Sequence, residues 1–158
     1  MGELLRPVFC LLVEDSPLVG LDLADALDAG GYYVAGPFPC GRDASEWLGR
    51  FTPDVAIIDL TLRDGRCHDV IVELQARAIP FVIYSGCPVR HRPSDVPSDV
   101  PWLEKPASTE MITTALQELL AGAFPDRHPF LVRDQQKGCV NPKPQPGAES
   151  AQEVADEA

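Results

Sequence analysis

The stretch VFCLLVEDSPLVGLDLADALDAGGYYVA, residues 8–35, decides the fold of this chain. It opens with an apolar run, continues with a helical pattern whose aspartates mark one solvent-facing edge, and ends in a second apolar run. Ser16 can cap the helix, Pro17 suits its first turn, and Gly30-Gly31 can end it. A strand, a helix and a strand in this order favour a parallel sheet that is covered by helices.

The residues that follow repeat this alternation of apolar runs and amphipathic stretches. Strands are predicted at 8–13, 32–35, 54–58, 81–84 and 100–103. Three of them are continuously apolar, which is typical of strands covered on both faces. Further helices are predicted before Thr52-Pro53, at 67–78 and at 109–121, the last of them capped by Ser108. The inward-facing positions expected in the second and third helices are Ala44, Trp47, Leu48, Phe51, Val70, Ile71, Leu74 and Ala78.

The segment between the fourth and fifth predicted strands carries almost no helical pattern. It reads CPVRHRPSDVPSDVP, residues 87–101, and is rich in proline. Proline removes a backbone donor and disfavours a helical conformation in the residue before it. We therefore predict an irregular or shortened fourth helix, and we interpret the basic residues Arg90, His91 and Arg92 as a solvated patch.

Size, charge and cysteine usage limit the class of protein. With 158 residues, 45% hydrophobic and 23% charged, the chain has the composition of one globular domain, placed at 1–125, and 126–158 is predicted to be a disordered tail. The formal net charge of −11 argues against nucleic acid or an anionic membrane as the main partner. No apolar run approaches the roughly 20 residues that cross a bilayer, and the start of the chain reads poorly as a signal peptide. Five scattered cysteines, an odd number, argue against a disulfide framework and favour the cytoplasm.

Polar side chains follow four of the five predicted strands, at the edge where ligands gather in open α/β sheets. They are Glu14-Asp15, Asp59, Ser85 and Lys105. Carboxylates about 4 Å apart repel by about 4 kcal/mol at an effective dielectric near 20, so a cation is expected among them. Mg²⁺ suits an all-oxygen site, and an aspartate so placed can attack phosphorus while the metal and Lys105 neutralise the phosphoryl oxygens. Ser85 would hydrogen-bond one of those oxygens.

The motifs LLVEDS, DVAIIDL, VIYSG and WLEKP occur in this order across residues 8–121. Through them the chain resembles the receiver domain of bacterial two-component response regulators. The resemblance implies a flavodoxin-like, doubly wound (βα)₅ fold, a phosphoryl group accepted by Asp59, and a cis peptide bond before Pro106. It also implies that Mg²⁺ is held by Glu14, Asp15, Asp59 and the backbone carbonyl of Thr61. The implied phosphate contacts are Ser85 and Lys105, and the implied switch residues are Ser85 and Trp102.

The stretch IPFVIYSGCP, residues 79–88, looks more specifically like the single-domain FAT GUY response regulators, which are found chiefly in alphaproteobacteria. Tyr84 and Ser85 stand where that subfamily has Ala and Thr, and Cys87-Pro88 replace Tyr-Gly. The serine keeps the hydroxyl that contacts phosphate. Pro88, in contrast, stiffens a loop that is expected to move.

The resemblance implies a single-domain response regulator that a histidine kinase or phosphotransfer protein phosphorylates, and that signals by binding an unknown downstream protein. Such a chain catalyses its own phosphorylation and is not a turnover enzyme. A phosphate sink and a phosphorylation-independent pseudo-receiver remain alternative functions. The oligomeric state also stays open, and a homodimer through the last predicted helix is possible. A haloacid-dehalogenase-like phosphatase would need an aspartate at the position of Thr61. The histidines lack the spacing of a zinc site and are interpreted as surface residues.

Overall fold

The computed structural model describes residues 6–126. Within this range the chain forms a five-stranded parallel sheet in the order β2-β1-β3-β4-β5, flanked by four α-helices. The strands are β1 (Val8–Val13), β2 (Tyr32–Phe38), β3 (Val55–Ile58), β4 (Phe81–Ser85) and β5 (Trp102–Glu104). The helices are α1 (Pro17–Ala29), α2 (Gly41–Leu48), α3 (Cys67–Ala76) and α4 (Thr109–Ala123).

Side-chain alternation along β1 divides the core into two layers. Cys10 and Leu12 pack on one face of the sheet with α1 and α4, whereas Leu11 and Val13 pack on the other face with α2 and α3. Every residue of β3 and β4 is buried. Their continuous apolar sequences follow from this, because helices cover both faces of these central strands. The predicted doubly wound receiver fold is confirmed.

The predicted strands and helices are all present in the described residues, with shifted ends. β2 continues to Phe38 instead of ending at 35, and β5 begins at Trp102 rather than at 100. The side chain of Ser108 accepts a hydrogen bond from the Met111 N–H (3.3 Å), as predicted for an N-cap. Between β4 and β5 the chain makes only one 3₁₀ turn, Val89–His91, so the predicted shortening of the fourth helix is also confirmed.

The expected inward stripe of the second helix is wrong at its last position. α2 ends at Leu48, and the Phe51 side chain is 55% exposed. The N–H groups of Arg50 and Phe51 both bond to the Trp47 carbonyl (3.0 Å each), so the chain turns away from the helix axis. Phe51 therefore stacks on the outer side of Trp47, with ring centroids 5.2 Å apart, and only Ala44 and Leu48 are fully inside.

The expectation that Ala78 faces inward is also wrong. α3 ends at Ala76, and Ala78 adopts a left-handed conformation with φ of 52°. The Ile79 N–H bonds to the Leu74 carbonyl (2.9 Å) and the Ala78 N–H to that of Gln75 (3.0 Å), which is a Schellman motif. This turn exposes Ala78 and buries Ile79 in its place.

Part of the sequence-based interpretation lies outside the described residues. The predicted tail, apart from Asp126, belongs to this part, as do Cys139 and His128. Cys10, Cys40, Cys67 and Cys87 are free thiols. Over residues 6–126, no helix has the length and apolar character that a membrane crossing requires.

Candidate functional site

The pairing of β1 with β3 brings the acidic residues together. Val13 lies beside Ile58 in the sheet, so Glu14 and Asp59, the residues that follow, leave the two strands side by side. The Asp59 N–H bonds to the Val13 carbonyl (3.0 Å), and the Glu14 N–H bonds to the Phe38 carbonyl (2.9 Å). Backbone hydrogen bonds at the carboxyl end of the sheet therefore position Glu14 and Asp59 independently of their side chains.

Three carboxylates form the centre of the site. Glu14 is 3% exposed, Asp59 is 2% exposed, and Asp15 is partly buried. One oxygen from each residue lies within 4.8 Å of the others. Burying two such charges side by side is unfavourable unless a cation or several donors compensate them.

Lys105 supplies one such cation. Its ammonium group donates to Glu14 Oε2 and to Asp59 Oδ2, the latter at 2.9 Å. The Lys105 backbone N–H bonds to the Ser85 carbonyl (2.9 Å), which fixes the lysine beside the end of β4, and the Lys105–Pro106 peptide is cis, as predicted. The structure thus unites Glu14, Asp59 and Lys105 into one hydrogen-bonded cluster.

The other oxygens of the two buried carboxylates bind local donors. The Thr61 N–H and hydroxyl both donate to Asp59 Oδ1, at 3.0 and 2.9 Å. The Ser16 N–H donates to Glu14 Oε1 (3.0 Å), while the Ser16 side chain makes no capping hydrogen bond. Ser16 is thus the N-cap residue of α1, as predicted, but its side chain does not supply the capping bond. Thr61 lies beside Asp59, but the role of its carbonyl toward a metal stays a prediction.

The two buried carboxyls differ in acidity. Burial raises the pKa of Glu14 above its usual value, and the donors Lys105 and Ser16 offset this only in part. Burial also opposes ionisation of Asp59, but the Thr61 N–H and the Lys105 ammonium outweigh it and hold its pKa below the usual range. Burial likewise opposes the charged form of Lys105, yet the hydrogen bonds to Glu14 and Asp59 prevail and raise its pKa.

The carboxylate set fits an octahedral Mg²⁺ ion. Mg–O distances near 2.1 Å place adjacent ligand oxygens about 3 Å apart and opposite ones about 4.2 Å apart. Oxygens of Glu14, Asp15 and Asp59 lie within 4.8 Å of one another, which is close to the larger of these separations. Asp15, the most exposed of the three, opens the cluster to solvent and lies 3.9 Å from the Arg63 side chain.

The side chains of Ser85 and Trp102 bond to the backbone of Cys87 and not to the carboxylates. Ser85 is fully buried, and its hydroxyl oxygen accepts a hydrogen bond from the Cys87 N–H (3.2 Å). The Trp102 indole N–H donates to the Cys87 carbonyl (3.0 Å), and its ring packs partly buried against the core layer of α2 and α3. The phosphate contact of Ser85 and the switch role of Trp102 stay predictions.

The sequence did not indicate several contacts that shape the region around the site. Interpreting Arg92 as solvated is wrong, because its guanidinium lies over the Trp102 ring and donates to the carbonyls of Pro97 and Val100. His68 is 57% exposed but pairs with Asp95 of the segment between β4 and β5. These contacts involve backbone carbonyls or residues far apart in sequence, and no local pattern marks them. Arg90 and His91 are exposed, as expected.

Comparison with known proteins gives one sequence relative. No protein-family profile matches the chain. The chemotaxis protein CheY of Thermotoga maritima is 33% identical over 64 residues, which are 40% of this chain and 53% of CheY. The chain therefore spans about half the length of the curated relative it matches.

Solved structures agree with the observed fold. A response regulator receiver protein from Sinorhizobium medicae superposes with a TM-score of 0.68 at 26% identity, covering 75% of this chain and 98% of that one. The signal receiver domain of a putative LuxO repressor from Vibrio parahaemolyticus gives 0.66 at 24% identity, over 78% and 100%. The receiver domain of PhyR from Erythrobacter litoralis gives 0.63 at 22% identity, over 84% and 97%. These similarities establish the receiver fold and, with CheY, support a CheY-like receiver domain.

Proposed function

We propose that this chain is the phosphoryl-accepting partner of a histidine kinase or phosphotransfer protein in a two-component or phosphorelay system, and that Asp59 carries the phosphoryl group. The observation that supports this most directly is the joint contact of Lys105 with Glu14 and Asp59, completed by the Thr61 donors. These contacts hold an ionised, oriented carboxylate next to a cation at the sheet edge where ligands bind in α/β folds.

Mg²⁺ is the proposed cofactor, held by Glu14, Asp15, Asp59 and the Thr61 carbonyl. When bound, it would neutralise negative charge on the phosphoryl oxygens. Asp59 attacks the phosphorus, an oxygen–phosphorus bond forms, and the phosphorus–nitrogen bond to the kinase histidine breaks. The side chain of Lys105 neutralises the oxygens of the transferred group, and the cluster positions Asp59 throughout.

Phosphorylation then acts as a two-state switch. The added charge draws the Ser85 hydroxyl toward the phosphoryl oxygens, Lys105 stays in contact with the phosphorylated side chain, and Trp102 repositions the surface around β5 and α4. The proposed output is binding of a downstream protein, with a phosphate sink as the alternative in which the chain only drains a kinase. The cytoplasm is the proposed location, supported by the free thiols of the described residues. The similarity to the PhyR receiver domain is compatible with a relation to the FAT GUY proteins.

One observation favours a second candidate, the pseudo-receiver that binds partners without phosphorylation. Lys105 already bonds to both Glu14 and Asp59, so the protein itself compensates part of the buried negative charge. A haloacid-dehalogenase-like phosphatase is less compatible, because Thr61 lacks the required carboxyl group and donates its hydroxyl to Asp59 instead.

The test is phosphorylation by acetyl phosphate in the presence of Mg²⁺ or of EDTA, followed by intact mass measurement. We expect one phosphoryl group on the wild type with Mg²⁺, none with EDTA, and none on Asp59→Asn. Asp69→Asn, which changes an exposed aspartate in the first turn of α3, is the matched control and should react like the wild type. Absence of modification with acetyl phosphate and with every candidate kinase would leave the pseudo-receiver as the better explanation.

A further inference from the structure

Arg92 connects the segment between β4 and β5 to the ring of Trp102 in β5. The Arg92 guanidinium lies 5.0 Å from the centre of the Trp102 ring. The same group donates to the carbonyls of Pro97 and Val100, the latter at 2.9 Å. The segment also carries Val96, which is 3% exposed and belongs to the core. The Arg92 side chain thus joins two carbonyls of its own segment to the face of a tryptophan in β5.

A short chain of hydrogen bonds joins this arrangement to the carboxylate cluster. Ser85, whose carbonyl holds Lys105, accepts a hydrogen bond from the Cys87 N–H through its hydroxyl. The carbonyl of the same Cys87 accepts the Trp102 indole N–H. The backbone of one residue therefore contacts the buried hydroxyl on one side and the ring beneath Arg92 on the other.

We propose that Arg92 is a latch that holds Trp102 and the segment 92–100 in the unphosphorylated arrangement, and that the site acts on this latch through the backbone of Cys87. The second half rests on the proposed function. If the Ser85 hydroxyl moves to a phosphoryl oxygen, the Cys87 N–H loses its acceptor and the Cys87 carbonyl is free to leave the Trp102 indole. The contacts of Arg92 oppose the movement of Trp102 and the segment, and their strength sets how far both move.

The chemistry of the contact requires arginine. A planar guanidinium can stack on an indole ring while it donates two hydrogen bonds in its own plane, whereas a lysine ammonium offers a point charge without a stacking face. Arg92→Lys should therefore behave more like Arg92→Ala than like the wild type. Arg90→Ala is the matched control, because Arg90 is an exposed arginine of the adjacent 3₁₀ turn with the same charge.

The first experiment examines the unphosphorylated protein. In a Trp47→Phe background, Trp102 is the only tryptophan, and its emission and its quenching by acrylamide report on the latch. The amides of Val96 and Val100 bond to the carbonyls of Pro93 and Pro97 at 3.1 and 3.2 Å, and their hydrogen exchange reports on the segment. We expect Arg92→Ala and Arg92→Lys to increase quenching and to accelerate this exchange by about tenfold, without a matching acceleration in β3. Indistinguishable values in the Arg92 and Arg90 variants would overturn the latch.

The second experiment adds acetyl phosphate and Mg²⁺, and intact mass gives the phosphorylated fraction of each sample. Phosphorylation should move the Trp102 emission of the background protein toward the value of Arg92→Ala, and Arg92→Ala itself should respond less. An equal response at equal phosphorylation would refute the coupling. If no sample is phosphorylated, the proposed function fails at this point, while the latch is still decided by the first experiment.

Discussion

Replacing Lys105 with methionine tests the electrostatics of the site. The substitution keeps most of the side-chain volume and removes the ammonium group that bonds to Glu14 and Asp59. The two carboxylates have oxygens within 4.8 Å, and at that separation two unit charges repel by about 3.5 kcal/mol at an effective dielectric near 20. The loss should not greatly exceed this value, because Glu14 has a raised pKa and can relieve the repulsion by binding a proton. We therefore expect Lys105→Met to lower the free energy of unfolding by about 3 kcal/mol at neutral pH.

Mg²⁺ should reverse much of this loss. In the wild type, a metal ion would have to compete with Lys105 for the oxygens of Glu14 and Asp59, whereas in Lys105→Met it would meet uncompensated carboxylates. A ligand that binds only the folded state stabilises it by RT ln(1 + [L]/Kd), so a lower Kd gives a larger gain at the same metal concentration. Mg²⁺ should thus stabilise Lys105→Met more than the wild type.

Urea denaturation followed by circular dichroism, with Mg²⁺ or with EDTA, measures both effects. Combining Lys105→Met with Asp59→Asn completes a double-mutant cycle, and the cost of removing the lysine should be smaller when Asp59 is already neutral. The reasoning is refuted if Lys105→Met in EDTA is as stable as the wild type, or if Mg²⁺ stabilises both proteins equally.

Three further substitutions probe how the elements around the site are held. Gly20→Ala would place a Cβ 2.8 Å from the ring of Pro37, which is fixed to the backbone, so we expect urea denaturation to show a loss of about 1–2 kcal/mol despite the better helix propensity of alanine. Burial opposes ionisation of Asp64, but backbone N–H groups that include those of the first turn of α2 outweigh it and hold the pKa of this carboxyl below its ordinary value of 3.8. The stabilisation is therefore present above that value and lost as the pH falls through the folded-state pKa, so Asp64→Asn should be less stable than wild type at neutral pH and approach it below about pH 4 in denaturation curves. Ser108→Ala removes the cap of the Met111 N–H and should cost about 1 kcal/mol in thermal unfolding, whereas Ser108→Asp should restore it.

The carboxylate cluster could be predicted from the sequence because its members follow buried strands. Glu14 and Asp59 come directly after apolar runs, and in a parallel sheet those runs end at the same edge. The spacing of Lys105 after the fifth run places it at that edge as well. Each strand is specified by a few residues of its own sequence. Because the strands are parallel, the residues that follow them come together at one edge of the sheet.

The segment between β4 and β5 could not be predicted in the same way. Its prolines correctly excluded a regular helix, but the partners of Arg92 are a ring and two backbone carbonyls, and carbonyls carry no sequence signal. The exposed positions of Phe51 and Ala78 were missed for a related reason. In both cases a turn after the last helical residue redirects the chain, and helical periodicity describes only residues that remain helical.

The difference in acidity between Glu14 and Asp59 supports Asp59 as the nucleophile. Both side chains are almost completely buried, and both bond to Lys105, so burial and the shared cation do not distinguish them. Asp59 receives two further hydrogen bonds from Thr61, whereas Glu14 receives one from Ser16. Donors to a carboxylate stabilise its ionised form. Burial raises the pKa of Glu14 and the charge of Asp59 adds to this, whereas at Asp59 the donors Thr61 and Lys105 outweigh burial and lower the pKa. An attack on phosphorus needs an ionised carboxylate oxygen that is held in position. Of the two buried carboxyl groups, only Asp59 has contacts that make it ionise more readily than an ordinary side chain of its type.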